Sequence, residues 1–188
     1  LEKAIREQEV TLLVGPREFY GKLGNSLSGG SLRYGLLFGP VLQEEIKEWE
    51  KKNEAVAEEA AEVKLYCQVP PIQKMDNSLN TLKECTHLSL STNSIDRLIP
   101  LAGMKKLQIL SMGRNQLKKI EKLDDVADTL MQLWVSYNQI STLDGMQGLT
   151  NLEILYMSNN NLKDFAELEK LSGLSLLRDV LFVGNPMY

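Results

Sequence analysis

The chain offers few side chains with which to do covalent chemistry. His87 is the only histidine in 188 residues, so no multi-histidine metal centre can be assembled, and no histidine-based triad is expected. Cys67 and Cys85 are the only cysteines, too few for a disulfide framework and without metal-ligand spacing. A reducing, intracellular setting is the natural reading. Residues 10–41 hold seven of the thirteen glycines, but Gly29-Gly30 follows no phosphate-loop pattern and no Lys-Ser or Lys-Thr follows it. Neither an enzyme nor a bound cofactor or metal is expected. What stands out instead is a recurrent amide (Asn93, Asn115, Asn138, Asn160, Asn185) and a pair of large aromatics, Trp134 and Tyr156. Amides satisfy backbone groups, and aromatics anchor partners.

The amides belong to a frame, Leu-x-x-Leu-x-Leu-x-x-Asn-x-Leu, that recurs five times. One copy reads Leu107–Leu110–Met112–Asn115–Leu117 and the next Leu130–Leu133–Val135–Asn138–Ile140. Cys85 takes a framework leucine position as a small apolar residue. A weaker forerunner lies at Val63–Leu65, with Gln68 in the Asn position. Successive Asn lie 22, 23, 22 and 25 residues apart. The extra residue of the second interval falls between Val126 and Leu130, and the last interval holds one extra apolar triplet. Alternating apolar residues predict a strand with one buried face, and the three-residue step of the return path predicts 3₁₀ or irregular turns. Each coil leaves an apolar edge that only a neighbour covers. The fold class is therefore α/β: a leucine-rich-repeat solenoid of the short 22-residue class with a parallel concave sheet. Its Asn residues form a structural ladder of paired amides.

Three segments are expected. Residues 1–41 form an N-terminal extension whose Gly-rich part, 10–41, reads as a flexible insertion or linker. The segment Leu42–Val63 is rich in helix formers, with Ile46, Trp49, Val56 and Val63 on one face, and residues 42–62 read as an N-terminal capping helix. Its acidic face offers an alternative role, docking a basic partner. Residues 63–188 form the repeat domain, which stops after a strand without the usual C-terminal cap. Residues 42–62 carry a net charge of −5, while residues 63–188 are neutral. That balance argues against a nucleic-acid partner, and no apolar run approaches the roughly 20 residues of a membrane span.

Residues flanking the buried leucines face the open side of the sheet. Reading one position across the coils gives Ser89, Ser111, Trp134, Tyr156 and Leu181; the neighbouring position gives His87, Ile109, Gln132, Ile154 and Asp179. Trp134 and Tyr156, flanked by Ile109, Ile154 and Leu181, form the expected partner-binding cluster, with small residues alongside. Arg114 and Tyr137 stand at the rim, where a charge steers a partner more than it binds one. Lys105, Lys106, Lys118, Lys119 and Lys122 read either as solvated side chains or as a basic edge facing an acidic partner.

From Val63 to Tyr188 the chain resembles the leucine-rich-repeat light chains of axonemal outer-arm dynein. The likeness rests on VPPIQKMDNSLNTLKECTHLSLSTNSI, ILSMGRNQLKKIEKLD, LWVSYNQISTLDGM and ILYMSNN, and reaches non-framework residues such as Trp134, Tyr137 and Tyr156. EEIKEWEKKNEAVAEEAAEVKLY looks like the family's N-terminal cap. Residues 10–41 have no counterpart in the resemblance, and the family's helical C-terminal tail is missing. The resemblance implies a light chain of the outer dynein arm in the cytoskeleton of cilia and flagella. It also implies binding to a heavy chain at the microtubule-binding domain on the stalk tip, which would tune how the motor engages the microtubule. Repeat physics alone leaves open a regulatory adaptor of a protein phosphatase or a spliceosomal complex.

Overall fold

The computed structural model describes residues 41–188; the expected linker at 10–41 lies, but for Val41, outside the described residues. Helix α1 spans Leu42–Asn53. Glu44 and Glu45 in its first turn and Lys51 and Lys52 in its last complement the helix dipole. Leu42 and Ile46 are buried in the same core as Val63 and Leu65, with Trp49 packed against it.

The helix stops nine residues short of the expected end at residue 62. Glu54 takes a left-handed conformation at φ 51°, and the Ala55 amide folds back onto the Glu50 carbonyl at 3.2 Å. The Glu50 carboxylate then accepts from the Ala57 amide at 2.9 Å. Residues 54–62 are good helix formers, but the chain must become extended to supply the first strand. The Ala61 carbonyl accepts from both Thr86 and His87 of the next coil, at 2.8 and 3.0 Å. Tertiary pairing overrides propensity here. Val56, assigned to the helical face, is 56% exposed, and Val63 is buried in a strand instead.

Six three-residue strands follow: β1 (Glu62–Lys64), β2 (His87–Ser89), β3 (Ile109–Ser111), β4 (Gln132–Trp134), β5 (Ile154–Tyr156) and β6 (Asp179–Leu181). They form one parallel, open sheet in sequence order, with Leu88, Leu110, Leu133, Leu155 and Val180 in register. The weak forerunner is a true coil, since Val63 pairs with Leu88. The return path buries every third residue, as in Ile95, Leu98, Leu101, Met104 and Leu107. The extra residue of the second interval is absorbed after the 3₁₀ turn Asp124–Val126, where the Leu130 amide reaches four residues back to the Val126 carbonyl at 2.9 Å. The extra triplet of the fourth lies in the 3₁₀ helix Phe165–Leu171. Framework burial fades on the last coil, where Val180 on edge strand β6 is 46% exposed.

Candidate functional site

Each ladder amide joins its own coil to the one before. Asn138 Nδ2 donates to the carbonyls of Val135 and Met112 at 2.9 and 3.0 Å, and its Oδ1 accepts from the Leu117 amide at 2.9 Å. Asn93, Asn115, Asn160 and Asn185 repeat the pattern. Directly before them, and before Gln68 of the first coil, runs a column of left-handed residues: Cys67, Thr92, Arg114, Tyr137 and Asn159 at φ 54–59°, and Gly184 at φ 80°. The amide of each of the first five donates to the next coil, Arg114 to Ser136 and Tyr137 to Ser158 at 2.9 and 2.8 Å. The sharp turn lifts these side chains onto the rim of the sheet.

On the open face Trp134 and Tyr156 stack, ring centres 6.2 Å apart and planes 24° apart. Both are half-buried, while Leu133 and Val135 beside Trp134 point into the core. The Trp134 ring also meets His87 edge-on at 5.9 Å. Its Nε1 is shielded and has no hydrogen-bond partner among the described residues. The Tyr156 hydroxyl donates to Asp179 at 2.6 Å, which pushes its pKa above the usual phenol range. At the other end of the band Glu62 faces Lys64 at 3.0 Å and His87 Nδ1 at 2.8 Å; the Lys64 bond, first among the causes, holds Glu62 below the usual carboxylate range. On the rim the Arg114 guanidinium lies 4.3 Å over the Tyr137 ring. Between the stack and the rim pair is a depression of about 270 Å³, lined also by Ser91, Thr92, Gly113 and Ser136.

This frame has known counterparts. A family model described as Leucine Rich repeats (2 copies) matches residues 130–170. Dynein axonemal light chain 1 of Chlamydomonas reinhardtii is 58% identical over 148 residues, 79% of this chain and 75% of that protein. The Homo sapiens protein of the same name is 54% identical over 147 residues, 78% and 77% of the two chains. The chain belongs to the dynein axonemal light chain 1 family. Membership makes it a dynein light chain of the cytoskeleton, in the axoneme of cilia and flagella. Among solved structures, an internalin C2 of Listeria monocytogenes has a TM-score of 0.53 at 29% identity, over 62% of this chain and half of the internalin. That likeness concerns the leucine-rich-repeat fold.

Of the residues assigned to partner binding, the structure brings Trp134, Tyr156, Ile109, Gln132 and Ile154 together on adjacent strands, with Leu181 beside Tyr156. Arg114 and Tyr137 join them across the depression. His87, Glu62 and Asp179 complete the band but stand outside that assignment. The sequence signal for His87 was weak, because it packs on Trp134 from two strands away and from another side-chain row. The lysine edge is partly spoken for, since Lys105 faces Asp125 at 3.6 Å and Lys106 pairs with Glu84. Lys118, Lys119 and Lys122 are exposed. Burial pushes the Cys85 thiol up to about 11, so at neutral pH it is a protonated core residue. Among the described residues no group of His, Cys, Asp and Glu could hold a metal, and no helix is long and apolar enough to cross a membrane.

Proposed function

We propose that this chain is a non-catalytic light chain of ciliary outer-arm dynein that binds a dynein heavy chain through the concave sheet. The segment bound is the microtubule-binding domain of the stalk, and binding modulates motor–microtubule engagement. The observation that carries the reading is the Trp134–Tyr156 stack, half-exposed on the open face of a light-chain family member and bordering a depression of about 270 Å³. Stacked aromatics of this kind are the usual anchors of protein interfaces. Any contact with acidic tubulin tails falls to Lys118, Lys119 and Lys122. The alternative, an adaptor for a phosphatase or a spliceosomal complex, has a concave surface too, but its support ends with the generic repeat.

The test is titration of the full chain against purified outer-arm dynein heavy chain. Trp134→Ala is expected to weaken binding by about 2 kcal/mol or more, roughly thirtyfold in Kd, with the solenoid still folded. Wild-type affinity of that variant would overturn the proposal.

A further inference from the structure

We infer that the concave face carries a carboxylate receptor, in which the Arg114 guanidinium, stacked on Tyr137, takes an Asp or Glu side chain of the docked protein segment. The inference rests on the proposed docking surface and specifies its chemistry. The other charged groups of the open face have hydrogen-bond or ionic partners within the chain, although the Asp179 carboxylate meets only a neutral hydroxyl and keeps its charge. Glu62 has Lys64 and His87, and Asp179 has the Tyr156 hydroxyl. Arg114 is the one charged residue in the rim column, is exposed, and has no ion pair among the described residues. The guanidinium carbon lies 4.3 Å from the Tyr137 ring centre, and no hydrogen bond or ion pair among the described residues uses its N–H groups, so the donor fork is available to a bidentate acceptor.

The depression beside it is shaped for a side chain. Gly113 on its floor needs no positive φ, and a methyl group there would meet the Ser136 carbonyl at 3.4 Å and Ser91 Oγ at 3.9 Å, both tolerable. Glycine is thus not required by the backbone at this position; what it provides is room. Ser136 Oγ already accepts from the Ser158 amide and hydroxyl at 3.2 and 3.0 Å, so its own proton is free to donate to an occupant. One cation and one hydroxyl match a single carboxylate charge, whereas a phosphate brings close to two negative charges.

The experiment measures association and dissociation of the full chain with purified outer-arm dynein heavy chain at low and moderate salt. Arg114→Gln is expected to raise the dissociation rate about tenfold, the scale of one charge-assisted pair. Arg114→Lys should recover part of that loss, and Gly113→Ala should weaken binding at unchanged thermal stability. Trp134→Ala is the parallel control. If Trp134→Ala weakens binding while Arg114→Gln dissociates at the wild-type rate, the receptor is wrong and the docking face stands. The same holds if Arg114→Gln only slows association, which marks steering rather than pairing. If both variants bind as wild type, the docking face itself falls, and the receptor with it.

Discussion

Replacing Asn138 by alanine tests how the coils are held together. The residue is buried, and alanine removes three hydrogen bonds of 2.9–3.0 Å and a marginal fourth, 3.4 Å to the Ser136 carbonyl, which keeps the Arg114 amide as donor; their loss is unequal. The Met112 carbonyl keeps a second donor, Asn115 Nδ2 at 3.1 Å, and the Val135 carbonyl keeps Asn160 Nδ2 at 3.0 Å. The Leu117 amide loses its Asn138 acceptor, which stood at 2.9 Å, and Leu117 and its counterparts on the adjoining coils, Ile95 and Ile140, are fully buried, which keeps water out. One orphaned buried donor costs about 1–3 kcal/mol, and two lost bonds to still-satisfied carbonyls add about 1 kcal/mol together. The expected destabilisation is therefore about 2–4 kcal/mol. Asn138→Asp sharpens the reasoning. It keeps an acceptor for Leu117 but sets a buried carboxylate against two carbonyl oxygens, so it should cost at least as much as alanine. Urea denaturation followed by circular dichroism gives the totals, and hydrogen exchange at the Leu117 amide gives the local term. An unchanged midpoint for Asn138→Ala, or an aspartate variant as stable as wild type, would refute the account.

Two further outcomes follow from the return path. Gly145 sits at φ 87°, and a Cβ there would lie 2.2 Å from the Ile120 carbonyl oxygen, so Gly145→Ala should destabilise by about 1–3 kcal/mol. Gly148→Ala, with nothing within 4 Å, should be near neutral in the same melts. Thr142, Asp144, Glu167 and Lys170 form a half-buried clip between coils, in which Glu167 also accepts from the Leu143 amide at 2.8 Å. Lys170 is the main cause that lowers the pKa of both Glu167 and Asp144, and Asp144 is the main cause that raises that of Lys170. The carboxylate contributions are complete above the ordinary Glu value of 4.5 and are lost as pH falls through the lowered ones; that of Lys170 is lost only as pH rises past 10.5. Acidification should therefore strip protection from the Leu143 amide while sparing that of Ile140, whose acceptor is the untitratable Asn160. Equal loss at both amides, after correction for intrinsic exchange, would remove the clip from the account.

The repeat frame was legible because every coil solves the same packing problem with the same residue types, so Leu110, Leu133 and Leu155 announce one another. The stack of Trp134 on Tyr156 was legible for the same reason, since matched frame positions become neighbours on adjacent strands. The end of α1 was not, because residues 54–62 look helical by composition and are pulled out of the helix by pairing with the second coil. The left-handed column was hidden as well. Asn159 and Gly184 favour that conformation, but Cys67, Thr92, Arg114 and Tyr137 do not, and the bond from each of their amides to the next coil holds them in it. The depression followed from that unseen turn, which swings Arg114 and Tyr137 up beside the stack.

The same turn connects stability to recognition. Holding Arg114 and Tyr137 in the left-handed region costs about 1–2 kcal/mol each, and it persists because their amides bond to the next coil while Asn115 and Asn138 anchor the following residue. Those bonds also fix where the two side chains leave the backbone. A partner therefore meets a rim pair already stacked and an aromatic pair already aligned, and little side-chain freedom is lost on docking. Asn138 touches no partner in this arrangement, yet it directly follows Tyr137. Its replacement should loosen the ring on which Arg114 lies and speed partner dissociation, even at temperatures where the solenoid remains folded. A variant destabilised as expected but releasing the heavy chain at the wild-type rate would separate the ladder from the binding face and leave it a purely structural device.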